Sequence, residues 1–182
     1  GIEINIAGYD RGSPKSYFSP YKNPHLPDGH KGEYLTDRLT DEAITFVSDH
    51  KDKTFFLYLP YYTVHTPLQG RKDLVEKYKN KPGINANFGA MVEALDENVG
   101  RLLAHLIKTG LDENTLVLFT SDKGGIRKIS KQDPLRAGKG SYYEGGVREP
   151  LVVRWPGKVA AGSKCDVPVI GLDFYPTLLE VA

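Results

Sequence analysis

Between Phe88 and Ile107 the apolar side chains recur at helical spacing. Phe88, Met91, Val92, Leu95, Val99, Leu102, Leu103, Leu106 and Ile107 make one continuous stripe, and Glu93, Glu97, Arg101 and Lys108 lie opposite it. Gly110 follows the last turn, where a left-handed residue beyond the C-cap is expected. So long a stripe has to be covered, and its neighbours narrow the choice of cover. Apolar runs at 54–59, 115–120 and 151–155 read as buried strands, the first stopped by Pro60 and the third by Pro156 and Gly157. A second helical pattern carries Leu39, Ala43, Phe46 and Val47 behind Thr36, a plausible N-cap. A last helix is expected over 173–182, capped by Asp173 or Thr177. Strands alternating with helical segments predict an α/β fold, a mostly parallel sheet sandwiched by helices.

Residues 1–33 do not join this alternation. Gly8, Gly12, Pro14, Pro20, Pro24, Pro27 and Gly29 punctuate them, which predicts a long surface excursion ahead of an α/β portion at 34–182. The chain opens Gly-Ile-Glu-Ile, with neither an initiator Met nor a signal-peptide pattern, as expected of a processed chain or an internal piece. No apolar run approaches the ~18 residues of a membrane span. Lys and Arg number 24 against 23 Asp and Glu, for a net charge of +1, which excludes a strongly basic nucleic-acid surface. A single cysteine excludes an internal disulfide framework and a Cys-cluster zinc site.

In open α/β sheets the ligand site lies beyond the carboxyl ends of the strands. Two such ends here are polar: Tyr61-Tyr62-Thr63-Val64-His65-Thr66-Pro67 and Ser121-Asp122-Lys123-Gly124-Gly125. A third segment, 138–148, sets four glycines beside Lys139, Arg148, Tyr142 and Tyr143. Glycine density permits close backbone approach to a ligand, and basic side chains beside it suggest an oxyanion. Each residue also has an ordinary structural role available. His65 caps a turn equally well, Asp122 before two glycines is a common turn former, and Lys139 suits a solvated loop. Arg148 and Glu149 fit a surface pair. Cys165, with no local partner, fits a packing position.

Taken in order, these segments resemble the sulfatase family of the alkaline-phosphatase-like superfold. The resemblance runs through Gly32-Glu-Tyr-Leu-Thr-Asp37, Val64-His-Thr-Pro-Leu-Gln69, Leu95-Asp-Glu-Asn-Val-Gly100 and Thr120-Ser-Asp-Lys-Gly-Gly125. It continues in Gly138-Lys-Gly-Ser-Tyr-Tyr-Glu-Gly-Gly-Val-Arg-Glu-Pro150, the most specific piece, and in Asp173-Phe-Tyr-Pro-Thr-Leu-Leu179. The resemblance implies hydrolysis of sulfate esters by a formylglycine nucleophile, with a calcium ion holding sulfate oxygens. It places His65 on the sulfate and the leaving-group oxygen, Lys139 on the sulfate as a second catalytic group, and Asp122 on calcium. It also implies an exported protein, in the periplasm, the lysosome or outside the cell. The substrate would be an aryl sulfate or a sulfated glycan, with no nucleic acid or membrane as partner. Tyr61, Tyr62, Tyr142 and Tyr143 would offer sugar-stacking faces or plain packing surfaces.

Two departures stand out. Lys123 replaces the asparagine expected after the metal-binding Asp122, and an ammonium has no lone pair for a cation. Calcium binding is therefore expected to be weakened or absent. The family's Asp pair and its Cys/Ser-X-Pro-X-Arg nucleophile motif are missing, since Cys165 is followed by Asp166-Val167-Pro168. The chain thus resembles the later part of an incomplete sulfatase domain, expected to be inactive alone. Two other readings stay open: a phosphate or phosphonate ester hydrolase of the same superfold, and a non-catalytic sulfate-binding remnant.

Overall fold

The computed structural model describes residues 3–182; Gly1 and Ile2, the start of the expected 1–33 excursion, lie outside the described residues. Helix α1 is Leu35–Asp49, α2 is Lys72–Tyr78 and α3 is Ala86–Lys108. They are followed by strand β1 at Val117–Thr120, a single-turn helix α4 at Glu144–Val147, strand β2 at Leu151–Arg154, and α5 at Gly171–Val181.

Helix α3 starts where Asn85 accepts the Phe88 backbone N–H at 3.1 Å, an N-cap bond. It ends as its sequence predicts. Gly110 has φ of +74°, its N–H donates to the Ile107 carbonyl at 3.1 Å, and the Leu111 N–H donates to the Leu106 carbonyl at 3.0 Å. Helices α1 and α2 pack on α3. The line of α3 buried against them is Ala90, Met91, Ala94, Asn98 and Leu106, so small and polar side chains take much of the contact. Val92 and Ile107, at the margins of the apolar stripe, remain exposed.

The segment before α1 departs from the expected surface excursion. It has no regular element beyond isolated bridges, yet Tyr17, Tyr21 and Leu26 are buried in one cluster with Tyr34, Leu35, Leu39, Leu74, Met91 and Ala94. The aromatic residues between its prolines are therefore core, and the turns serve to bring them inward. Thr36 also differs from expectation. Tyr34 holds the N-cap position, while Thr36 sits in the first turn with its hydroxyl 2.6 Å from that of Thr63.

Among the described residues the one sheet is β1 paired antiparallel with β2, in the register Val117 opposite Arg154 and Thr120 opposite Leu151. Parallel pairing, expected from the βα alternation, is not made between these two strands. Residues 54–60 were expected to contain a strand and instead run without ladder partners. Their burial still alternates, with Phe55, Leu57 and Leu59 inward and Phe56 and Tyr58 outward, the two-residue period of a strand. An ion pair from Arg154 to Asp112, with one hydrogen bond from Nη2 to Oδ2 at 2.9 Å, ties β2 to the turn ahead of β1. Helix α5 starts ahead of the expected 173: Ile170 holds the N-cap position, and Asp173 stands at N3, where its carboxylate accepts the Ile170 N–H at 2.7 Å.

Candidate active site

The polar end of β1 and the glycine-rich segment after it are zipped together by their backbones. The Gly124 N–H donates to the Gly146 carbonyl at 3.1 Å, the Lys139 N–H to that of Gly125 at 3.0 Å, and the Gly145 N–H to that of Arg136 at 2.9 Å. The contact is too close for side chains: a Cβ on Gly124 would lie 1.9 Å from the Gly145 oxygen, and one on Gly146 2.2 Å from the Ser141 oxygen. The glycine density read from the sequence as room for a ligand thus first serves backbone against backbone. Its product is a fixed root for Lys139.

The extended segment 54–60 delivers His65 to the same place. Its backbone N–H donates to the Tyr62 carbonyl at 2.7 Å. The Tyr17 hydroxyl lies 2.7 Å from the Tyr62 carbonyl and 2.9 Å from that of His65, closing the turn from beneath. Tyr17 is 0% exposed, and burial drives its phenol well above the usual range, so it stays a neutral donor. Further along, Gln69 accepts the Tyr17 backbone N–H at 2.8 Å, and its own carbonyl accepts the Tyr34 hydroxyl at 3.0 Å. Neither Tyr17 nor Gln69 is singled out by the sequence as a support of the site, although Gln69 lies inside a stretch that carries the family resemblance.

His65 Nδ1 lies 3.0 Å from the Thr66 carbonyl, which only accepts, so Nδ1 carries the proton. Nε2 is then the acceptor of the neutral ring. It lies 3.2 Å from Lys139 Nζ, which only donates. The two predicted catalytic residues, 74 positions apart in the chain, meet head to head at the surface.

Asp122 and Lys123 occupy the loop that holds Lys139. The Lys123 ammonium is paired with Asp122 Oδ2. Glu149 is a near neighbour. Desolvation and then the Asp122 charge push its carboxyl above the usual range, while Lys123 pulls it back, and its Oε1 is buried without a hydrogen-bond partner. These residues by themselves do not fit a divalent cation. The one predicted ligand already pairs with an ammonium, and no group of three His, Cys, Asp or Glu among the described residues is arranged to hold a metal.

The side chains of the other residues singled out from sequence make contacts of their own. Arg148 pairs with Glu144 one turn earlier, at 3.1 Å. Cys165 is exposed and unbonded. Tyr61 bonds the Thr40 hydroxyl at 2.7 Å and packs on the core with Tyr62. Tyr143 lies under the Arg136 guanidinium, 3.7 Å from ring centre to carbon, whereas Tyr142 is fully exposed.

Comparison with known proteins adds identity to this geometry. A family model described as Sulfatase matches residues 6–182. A sulfatase of Formosa agariphila is 38% identical over an alignment of 192 positions that covers 96% of this chain and 35% of that protein. The steryl-sulfatase of Homo sapiens is 36% identical over 157 residues, 81% of this chain and 26% of that one. Among solved structures, that of Ps i-CgsB in complex with k-i-k-neocarrahexaose superposes with a TM-score of 0.78 at 40% identity, covering 85% of this chain and 35% of that chain. The chain thus spans about a third of the length of such relatives.

Proposed function

Because the chain belongs to the sulfatase family, with the alkaline-phosphatase-like α/β fold of its structural neighbours, we propose that it supplies the leaving-group side of a site that hydrolyses sulfate esters. One observation carries this reading: Lys139 Nζ and His65 Nε2, from two loops far apart in the chain, converge to 3.2 Å. Scission of the ester S–O bond leaves negative charge on the departing oxygen, and fixed N–H donors stabilise that charge best where it develops. Lys139 offers three N–H bonds from a root pinned to Gly125. His65 Nε2 accepts one of them, so that a proton moving from the Lys139 ammonium through Nε2 to the leaving oxygen leaves Lys139 as the neutral amine and the ring neutral, while the Nδ1–H stays on the Thr66 carbonyl and fixes the ring.

The nucleophile lies outside these residues on this reading. On the family's pattern it is a formylglycine, whose hydrate supplies the attacking oxygen. Calcium, the expected cofactor, would find only Asp122 here. The substrate is an aryl sulfate or a sulfated glycan, and the complete protein is exported. Among the described residues no helix is long and apolar enough to cross a membrane.

Two assays test the reading. The purified 182-residue chain is expected to show no aryl sulfate hydrolysis; calcium-dependent turnover by it would place the nucleophile inside the chain after all. In a polypeptide joining this chain to the nucleophile segment of a relative, His65→Ala and Lys139→Ala should each lower kcat by about 10²–10⁴-fold. Undiminished kcat in both variants would remove these residues from the site.

A further inference from the structure

The carboxylate that the family resemblance assigns to a divalent cation meets an ammonium in this chain. Lys123 Nζ sits on Asp122 Oδ2, and the root of its side chain is held, since the Ser121 hydroxyl donates to the Lys123 carbonyl at 3.2 Å. We infer that Lys123 is a tethered cation, occupying the Asp122 carboxylate from the next residue along and keeping divalent cations from it.

Three observations support this. The pairing partner is adjacent in sequence, so the ammonium is present at the carboxylate without any binding step. Lysine offers three donors and no lone pair, so it cannot join a cation's oxygen shell and instead repels the cation. A monovalent and a divalent cation held about 5 Å apart in water repel enough to weaken binding by about tenfold. The neighbouring Glu149 adds the third. Glu149 brings a second carboxyl, with a buried, unpartnered oxygen, near enough for the charges of Asp122 and Lys123 to act on it. Removing the Lys123 charge leaves Asp122 with that carboxyl in its neighbourhood, a setting that favours a cation.

The inference rests on the sulfatase reading only for the expectation that a cation belongs at Asp122. Calcium titration of the 182-residue chain, without any sulfate ester, tests it independently of turnover. Isothermal titration would compare the parent chain with Lys123→Asn, Lys123→Gln and Lys123→Arg. Lys123 is exposed and its ammonium pairs with Asp122, so the folded chain is expected to survive each change, and the two neutral variants check one another. Both neutral variants should bind calcium about tenfold more tightly than the parent. Lys123→Arg, which keeps the charge, should match the parent, and adding Asp122→Asn to Lys123→Asn should abolish the gain. Equal affinities in the parent and the neutral variants would overturn the inference. So would a gain that survives Asp122→Asn, or no binding by the neutral variants up to about 10 mM, beyond the range of weak calcium modules.

Discussion

A methyl group on Gly124 would fall 1.9 Å from the Gly145 oxygen and 2.9 Å from its carbonyl carbon, both backbone atoms with nowhere to retreat. The loops holding Asp122 and Lys139 meet through this glycine, because its N–H donates to Gly146. Gly124→Ala is therefore expected to part the loops and to cost about 3 kcal/mol, the upper end of ordinary overpacking. Urea unfolding of the two chains measures the loss, and the His65 imidazole NMR signals should shift as Lys139 leaves Nε2. An unchanged midpoint with unchanged imidazole signals would show that the loops tolerate separation. At this scale the sequence was legible in its chemistry and less so in its supports. The sequence motifs contain His65 and Lys139, and the structure brings these two side chains to 3.2 Å of each other. Tyr17 was not singled out, because its partners, Tyr62 and His65, lie more than 40 residues away and no local pattern encodes them.

At the scale of elements, several of the family-like motifs turn out to be joints between helices. Asn98 is 0% exposed on α3; its amide donates to Asp37 of α1 at 2.6 Å and to the Ala94 carbonyl at 2.7 Å, and its oxygen accepts from Arg101 at 2.8 Å. Arg71, ahead of α2, lies 3.5 Å from the same Asp37 and 2.9 Å from Glu97. Three helices are thus tied through one carboxylate. Asn98→Ala removes a buried amide and leaves its partners unpaired, so a loss of about 2–3 kcal/mol is expected in urea unfolding, with the m-value kept. A loss under about 0.5 kcal/mol would show that water replaces the amide. Helix α3 was legible because its apolar period runs unbroken for about six turns. Helix α2 was not, since it has only seven residues, four of them charged, and its one fully buried side chain, Leu74, makes no stripe. Residues 54–60 show the converse case. Their pattern is that of a strand and their burial keeps its period, but no ladder partner is present among the described residues.

For the whole molecule the core carries one side of the site, the His65 turn held by Tyr17, while Lys139 stands on the loop beyond β1. The packed cluster joins the segment 7–34 to α1, α2 and α3, whereas β1, β2 and α5 contribute none of its buried residues. Helix α5 has no buried residue, and Leu172 is 79% exposed. Stability should therefore be set by the helical half, where its one buried phenol–carboxylate contact makes it depend on pH. The Tyr21 hydroxyl donates to Glu33 Oε2 at 2.7 Å, and Arg38 reaches the same oxygen at 3.3 Å. The Tyr21 bond first, and the Arg38 contact after it, hold the Glu33 carboxyl below the usual carboxylate range despite partial desolvation. A lowered folded pKa means that the unfolded chain binds the proton more readily. The stabilisation is thus complete above about pH 4.3, the unfolded value, and is lost as pH falls through the lower folded one. Glu33→Gln keeps the shape and an acceptor but removes the charge, so it should cost about 1 kcal/mol at neutral pH. Urea midpoints of the two chains, measured from neutral pH downward, should converge on the acid side. A gap that stays constant into acid would assign the contact to shape and packing, and the acid sensitivity of the helical half would then lie with other carboxylates.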